Sequence, residues 1–583
     1  MSHFGWYYLI YLIAIFHVSR DEAYKILIYN PTFGTSHVKF LGSIADTLVS
    51  AGHEVIQLAP ILFPFVNGTS SKLARTITID ADPEITNIMR IDIFAEDAWK
   101  QKQQSFFAML RVIKRLSDAL VKTCEFQLKH EKIMEEMKAA KFDLAISEFN
   151  YCFAGMIESF HIPAHVVASP TALVEHITES IGVPNIPSYI PNVFTSYTDN
   201  MSYIQRTKNL ILMLFMNKLL DGVRNRCQEI FQRFYGDNFI DLKEKIAQVT
   251  YVLTNTDPLF DIPRPTIHKV MELGGLSVSN PKPLNEDWLT VVNQREAVIL
   301  VSFGTVALSH MMPNEMKQML LETFDAFANV TFIWKYEIEE HRIADGHSNV
   351  VTAKWLPQSD LLAHSKVIAF LTHGGMNSIT ETLNHGKPVV VIPIFGDQLQ
   401  NAVLVERSGI GIKLTLPEAQ KRGKLYDAIY NIITDKSYAQ KAKRLSNMIA
   451  KRPNPAKEQL IKHVEFAAQF GQIANFDPYE CGGAPYNGVT VELWDDDIFN
   501  FDDQLDSTHT DRSGKFQLYG ETREVRSIEP YLLIRHNCDN GHHDVRCTYT
   551  DRYDVPKSYQ GMTYNLGKVD LKSATVKRKT KCY

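Results

Sequence analysis

The sequence predicts an α/β protein of two parallel-sheet domains facing a cleft, followed by a C-terminal all-β sandwich. Three observations predict it. Short apolar runs alternate with helical stretches, the pattern of strands buried on both faces and joined by helical crossovers. The alternation runs twice, with Pro258, Pro263, Pro265, Pro281 and Pro283 between the two series. Past about Gly471 the strands change style and alternate apolar with polar residues, as half-exposed antiparallel strands do.

A chain of 583 residues is too long for one hydrophobic core. Its 45% apolar and 22% charged residues are ordinary for a globular protein. The net charge of -5 gives no reason to expect nucleic acid as a partner.

The first element is Tyr7 to Val18, apolar apart from His17 and closed by Ser19-Arg20-Asp21. It is too short to span a membrane and has the length of a secretory apolar region. Residues 1–20 therefore read as a signal peptide, although His3 is the only potentially basic side chain before it. No later run offers about 18 uninterrupted apolar residues; the stretch from Leu210 to Leu220 is broken by Asn217 and Lys218. The expectation is a protein of the secretory route, in the ER lumen or secreted, without a C-terminal transmembrane helix. The sequons at Asn67, Asn200 and Asn329 fit that route. Asn329 opens an apolar strand and is expected to be inaccessible.

Residues 21–262 read as the first α/β domain. Lys25 to Tyr29 is a buried strand, and Asn30 to Ser36 is a loop. A helix comes next, with Val38, Leu41, Ala45, Leu48 and Val49 on one face. Gly52 ends it, and Glu54 to Leu58 is the next strand. Helical sequence from Ala95 to Ala140, a strand from Phe142 to Ser147, helical sequence from Tyr203 to Phe234 and a strand from Tyr251 to Asn255 complete the domain. Residues 263–284 are the proline-stiffened linker. Residues 285–470 restart the alternation, with strands at Val298 to Phe303, Val330 to Tyr336, Val350 to Lys354, Val367 to Thr372 and Pro388 to Pro393.

Residues 471–583 read as the sandwich. Val489 to Leu493 and Phe516 to Gly520 are its clearest strands, and the acidic residues Asp495 to Asp497 and Asp502-Asp503 read as a solvated loop. They lack the fixed glycine and ligand pattern of a calcium loop. Cys481, Cys538, Cys547 and Cys582 crowd into this region, which suggests a disulfide-stapled module with three connectivities open. Cys124, Cys152 and Cys227 are scattered through the first half. No C-x-x-C spacing supports a metal site.

The richest stretch is Phe370-Leu371-Thr372-His373-Gly374-Gly375-Met376-Asn377-Ser378, with Glu381 and Asp397-Gln398 beyond it. It reads as strand, glycine turn, helix. Such a turn aims unpaired N–H groups and the positive end of a helix at one point, where a phosphate can bind. The indole of Trp355 can stack on a nucleobase, and the amide of Gln358 can bond base or ribose. His373 and the N–H groups around Gly374, Gly375, Asn377 and Ser378 can meet a diphosphate. Glu381 can accept from ribose hydroxyls, and Asp397 and Gln398 can bind sugar hydroxyls. Gly304-Thr305 offers a second glycine turn across the cleft. Singly, His-Gly-Gly is a tight turn and Trp355 a core residue; in this order and spacing they suit a nucleotide-sugar.

This set resembles the UDP-glycosyltransferase signature, and the chain looks like a UDP-glucuronosyltransferase of animal type. Val301-Ser302-Phe303-Gly304-Thr305, Trp355-Leu356-Pro357-Gln358 and Phe370 to Gln398 carry the resemblance, supported by Pro187 to Pro191, Arg264-Pro265 and Gly274-Gly275-Leu276. It covers roughly residues 24 to 470. It implies the GT-B architecture, two Rossmann-like domains, with 21–262 binding the acceptor and 285–470 the UDP-sugar. It also implies an inverting, metal-independent transfer from UDP-glucuronate or UDP-glucose, with no cofactor beyond that co-substrate.

The same resemblance makes His37 the general base on an acceptor hydroxyl. An imidazole titrates near neutrality and can take that proton at working pH; otherwise His37 is a surface or helix-start histidine. The family places an Asp after the strand ending near residue 147 to orient the base. Here Glu148 stands there, keeping the carboxylate and adding a methylene, with Asp143 on the strand as a structural rival. Arg264 could meet a glucuronate carboxylate or form a surface ion pair.

The expected family sequence stops near Gly471, without the usual membrane span. The region after Gly471 is similar to a nematode transthyretin-like domain, on Pro485 to Val489, Thr510 to Phe516, Pro530 to Cys538 and Asn565 to Val569. Two functions are thus in play. One is sugar transfer to a small lipophilic acceptor. The other is a secreted binding protein for small ligands or partners, with an inactive transferase part. The sequence leaves acceptor identity, peripheral membrane association and oligomeric state open.

Overall fold

The computed structural model describes residues 23–63, 66, 71–88, 99, 106–421, 423–473, 489–496, 502–510, 516–521, 529–539, 542–543, 547–559, 562–566, 571 and 577–582. The stretch read as a signal peptide, Asn67 and Cys481 lie outside these residues. The chain divides into two compact units, Met1–Phe476 and Asp477–Tyr583.

The first unit holds two parallel sheets. One contains β1 (Lys25–Tyr29), β2 (Glu54–Pro60), β3 (Arg75–Ile79), β4 (Leu144–Ser147), β5 (Ala164–Ser169), β6 (Tyr251–Thr254) and β7 (Val270–Glu272), in the order β3-β2-β1-β4-β5-β6-β7. The other contains β8 (Ala297–Ser302), β9 (Val330–Lys335), β10 (Val350–Ala353), β11 (Val367–Thr372), β12 (Val389–Val391) and β13 (Gly411–Lys413), in the order β10-β9-β8-β11-β12-β13. Alternate residues of one strand feed two cores: Leu27 and Tyr29 face one cluster, Ile26 and Ile28 the other. Both faces of the sheet are therefore covered, which is why these strands are apolar without alternation.

The helices of this unit include α1 (Thr35–Ser50), α2 (Phe106–Leu128), α3 (Tyr203–Tyr235), α4 (Met376–His385), α5 (Gln398–Ser408) and α6 (Ala456–Phe470). In α1 the buried residues Val38, Leu41, Ala45 and Leu48 keep the three-to-four spacing of one helical face. Ser202 and Gln205 close a capping box at the start of α3. α4 stops at Gly386, whose φ of 65° is left-handed.

In this unit four features differ from expectation. Val270–Glu272 lies inside the 263–284 linker yet forms the edge strand β7; three residues are too few to show a period. α6 falls in the 285–470 domain by sequence, but its Ala456, Leu460, Val464 and Ala467 pack in the first sheet's core with Ile26, Phe40 and Val166. Asn329 is exposed, in the turn before β9, and only Val330 and Thr331 enter the strand. Cys124 and Cys152, read as scattered, form a disulfide that ties α2 to the helix Tyr151–Ser159. A bridge between two helices leaves no spacing signal in the sequence. Cys227 is free and buried.

The second unit is antiparallel. β14 (Thr490–Asp495), β15 (Asp503–His509), β16 (Pro530–His536), β19 (Cys547–Asp554) and β20 (Lys577–Cys582) form a sheet ordered β15-β14-β16-β19-β20, with a small ribbon of β17 (Cys538–Asp539) and β18 (His542–His543). Cys547 and Cys582 are opposite in register and disulfide-bonded. Phe516 to Gly520, expected as a strand, joins no ladder. Its Phe516 and Leu518 instead pack against Val489, Val491, Leu532 and Ile534, which explains their apolar spacing. Asp503, assigned to the acidic loop, opens β15. That strand edges its sheet, where charged side chains deter further pairing.

Candidate active site

Ligands of parallel α/β sheets bind beyond the carboxyl ends of the strands, where strand order reverses. In the first sheet that point lies between β1 and β4; in the second, between β8 and β11. His37 follows β1 and Glu148 follows β4. Gly304-Thr305 follows β8 and His373 follows β11. The topology thus sets both pairs at a switch point. One cavity of about 1520 Å³ contains them all.

His37 Nδ1 lies 2.9 Å from both carboxylate oxygens of Glu148. That contact assigns the Nδ1–H tautomer and leaves Nε2 as the basic nitrogen. The ring edge packs on Phe33, centroids 5.0 Å apart. Burial pushes the imidazole pKa down, but the charge and hydrogen bond of Glu148 and the charge of Asp397 outweigh it and hold the pKa above its usual value. The extra methylene of Glu148 does not break the pairing. Asp143 accepts from the N–H of Lys25 at 2.7 Å and so secures the start of β1.

The second lobe supplies the opposite wall. Gly304, Thr305, Trp355, Gln358, His373, Gly375, Asn377, Ser378, Glu381, Asp397 and Gln398 line the cavity. Gly304 and Gly375 make room for the His373 ring. A Cβ on either would come within 2.7 or 2.6 Å of His373 Nε2. Burial lowers the His373 pKa to about 4, against an opposing hydrogen bond with the backbone of Ser302 and with help from the charge of Lys335. The ring is therefore neutral near pH 7. Trp355 is 68% exposed, so it is a surface platform and not core.

Gly374 does not line the cavity. Its φ is +86°, and a Cβ there would meet Val391 Cγ1 at 2.6 Å; its carbonyl accepts from Asn401 Nδ2 at 2.9 Å. Asn401 also donates to Asp397 Oδ2 at 2.8 Å. Asp397 is raised in pKa by burial, which Asn401 and His37 oppose. Gln398 accepts from the N–H groups of Ile394 and Phe395, leaving its amide nitrogen to meet a ligand. Asn377 is engaged between the lobes: its Oδ1 accepts from Asn255 and its Nδ2 donates to the carbonyl of Ser36. Arg264 is absent from the cavity wall. It donates to the carbonyl of Leu173 and faces Asp261, so the glucuronate contact considered for it has no geometric basis here.

Sequence reasoning missed Lys39, Lys335, Asn255 and Asn401. Lys335 donates to the Gly304 carbonyl at 2.7 Å and pairs with Glu337. These residues act through contacts between distant segments, which a single sequence does not display. The wall near His37 is apolar, with Phe33, Phe63, Leu116, Leu120, Phe149 and Phe194 among its residues. Val174 and Ile177 add to this wall, and α3 supplies Ile211, Leu212, Met216 and Leu220.

A family model described as UDP-glucoronosyl and UDP-glucosyl transferase matches residues 25–470. The chain belongs to the UDP-glycosyltransferase family. The putative UDP-glucuronosyltransferase ugt-50 of Caenorhabditis elegans is 28% identical, over 80% of this chain and 90% of that protein. UDP-glucuronosyltransferase 1A1 of Homo sapiens is 27% identical, over 76% of this chain and 83% of that protein. Among solved structures, the spinosyn rhamnosyltransferase SpnG aligns with a TM-score of 0.51 at 15% identity, over 76% of this chain and all of that one. Together with the two parallel sheets, this establishes the GT-B fold. Residues 479–556 match the transthyretin-like family, so this UDP-glycosyltransferase carries a transthyretin-like domain after its transferase part. Among the described residues, no helix is long and apolar enough to cross a membrane.

Proposed function

We propose that the protein moves glucuronate or glucose from a UDP-sugar to a hydroxyl of a small lipophilic acceptor, with inversion at the anomeric carbon. The observation that carries this reading is one cavity lined by the His37–Glu148 pair from the first lobe and the glycine turn after His373 from the second. A base and a diphosphate cradle on opposite walls suit a single in-line displacement. His37 Nε2 takes the hydroxyl proton as the acceptor oxygen attacks C1. The C1–O bond to the diphosphate breaks, and its electron pair leaves with UDP. Fixed N–H donors at the start of α4 meet the charge that develops there, in general a large contribution to catalysis. The aromatic and aliphatic wall beside His37 supports a lipophilic acceptor. Both described disulfides support an oxidising, secretory location.

Release of UDP from UDP-glucuronate and UDP-glucose, assayed with a panel of phenols and steroids, tests the reading. Turnover that requires one donor and an acceptor hydroxyl is expected; no turnover with any pair overturns it.

The pH profile gives a sharper check. Only neutral His37 can act as base, and its pKa is raised. The acid limb of kcat/KM should therefore lie above the ordinary imidazole value of about 6.5. Glu148→Gln removes the raising charge and leaves burial, so its acid limb should move to lower pH while the maximal rate falls. A limb that does not move would remove Glu148 from the pair.

A further inference from the structure

We propose that Lys39 binds the diphosphate of the donor, a cation delivered from the acceptor lobe to the leaving group. The proposal rests on the donor-site reading above. Lys39 lines the cavity with its side chain 42% exposed, and its Nζ reaches across the lobes to Glu381 Oε1 at 2.9 Å. The Glu381 side chain is 6% exposed. Its other oxygen accepts from Gln358 Nε2 at 2.7 Å, and that nitrogen lies 3.3 Å from Ser378 Oγ. Lys39, Glu381, Gln358 and Ser378 thus form one chain of contacts along the start of α4. One turn earlier, Asn377 Nδ2 donates to the carbonyl of Ser36 at 3.2 Å. The first turn of α1 is pinned against α4, which fixes where the Lys39 stem can reach.

This geometry gives the ammonium two stations. Without donor, it rests on Glu381. Ribose hydroxyls bonded to Glu381, as the donor-site reading has them, would compete with Lys39 for this carboxylate from the same cavity. The displaced ammonium sits on a flexible four-carbon stem. Ser378 is three residues before Glu381 on the same helix, a neighbour at roughly 5–6 Å. An anion held by the N–H groups there is the nearest new partner. The ion pair is exchanged and not lost, and a mobile positive charge arrives where the departing phosphate oxygen becomes negative.

The cationic groups that the second lobe itself brings to the cavity, Lys335 and His373, are committed. Lys335 is 8% exposed and held by the Gly304 carbonyl and Glu337. His373 sits between two glycines and is neutral near pH 7. Lys39 combines nearness to the cradle with freedom to move.

Titration calorimetry of uridine and of UDP on the full chain tests this, with wild type, Lys39→Met and Lys39→Arg. For Lys39→Met, UDP affinity should fall about 10- to 100-fold, the worth of a hydrogen bond to a charged group. Uridine affinity should hold or rise, because Glu381 is released. Lys39→Arg should recover most of the UDP binding. Equal weakening of uridine and UDP, or UDP affinity within about twofold of wild type, would overturn the proposal while leaving the donor site standing. A wild-type protein that binds no UDP would overturn the donor site, and this assignment with it.

Discussion

His37→Ala is expected to lower kcat by about 10²- to 10⁴-fold, the range that a positioned general base contributes. UDP affinity should stay close to wild type, because the proposed diphosphate cradle is built from the other lobe. The loss should appear equally in kcat and kcat/KM, the mark of a contact made only in the transition state. Three features of the site argue for this size of effect. The Nδ1 contact to both Glu148 oxygens fixes ring and tautomer. Phe33 packs on the ring. Asp397 senses the imidazole charge from across the cleft. Steady-state kinetics and UDP titration on one preparation separate chemistry from binding. Turnover of His37→Ala equal to that of wild type would remove His37 from the mechanism.

Trp99→Ala is expected to give the largest loss of stability. Trp99 precedes β4 in the chain, yet it is 1% exposed within the core of the second lobe. Its ring meets Phe303 at 5.3 Å, and its Nε1 donates to the carbonyl of Leu308 at 2.9 Å. A fully buried Trp cut to Ala costs about 3–5 kcal/mol. For a lobe of this size that corresponds to a fall in Tm of roughly 6–20 °C. Trp99→Phe keeps most of the packing and leaves Leu308 without its donor, at about 1 kcal/mol. Leu308 lies four residues beyond Gly304, so KM for the UDP-sugar should rise in Trp99→Ala as well. Thermal unfolding checks the order wild type, Phe, Ala. A Tm unchanged in Trp99→Ala would show that this indole does not support the core of the second lobe.

Most of the fold was legible because its physics is local. Strands buried on both faces announce themselves as apolar runs, and β1, β2, β8 and β11 were read within two residues of their observed bounds. In the two parallel sheets β3, β5, β7 and β13 were not read; β3 sits at a sheet edge with only Ile79 buried, and so shows no apolar run. β7 and β13 have three residues each, and β5 contains His165 and Ser169, which blur an apolar run. The position of α6 was illegible because nothing local says which lobe a helix crosses to. The acidic edge strand β15 failed for the opposite reason: its charges answer to the sheet edge and not to the turn they resemble.

The site divides in the same way. His373, Glu381, Asp397 and Gln398 stand in a stretch whose order suggests their chemistry, and His37 takes its role from the resemblance alone. Contacts between lobes carry no such mark. Asn377 reads as a ligand residue from its place in the glycine turn, but its amide joins Asn255 to Ser36. Lys39 looks like an ordinary surface lysine of an amphipathic helix until Glu381 is seen opposite it. Gly374, too, reads as cradle, whereas its missing Cβ serves Val391 and its carbonyl serves Asn401.

The most direct test of the two-walled site is a crystal structure of the wild-type protein with UDP and an accepted phenol bound together. The account predicts diphosphate oxygens at hydrogen-bond distance from the N–H groups between Gly375 and Ser378. The phenol hydroxyl should lie within about 3.2 Å of His37 Nε2, facing the diphosphate across the space a sugar would fill. A diphosphate held elsewhere, or a phenol whose hydroxyl lies beyond the reach of His37, would contradict it.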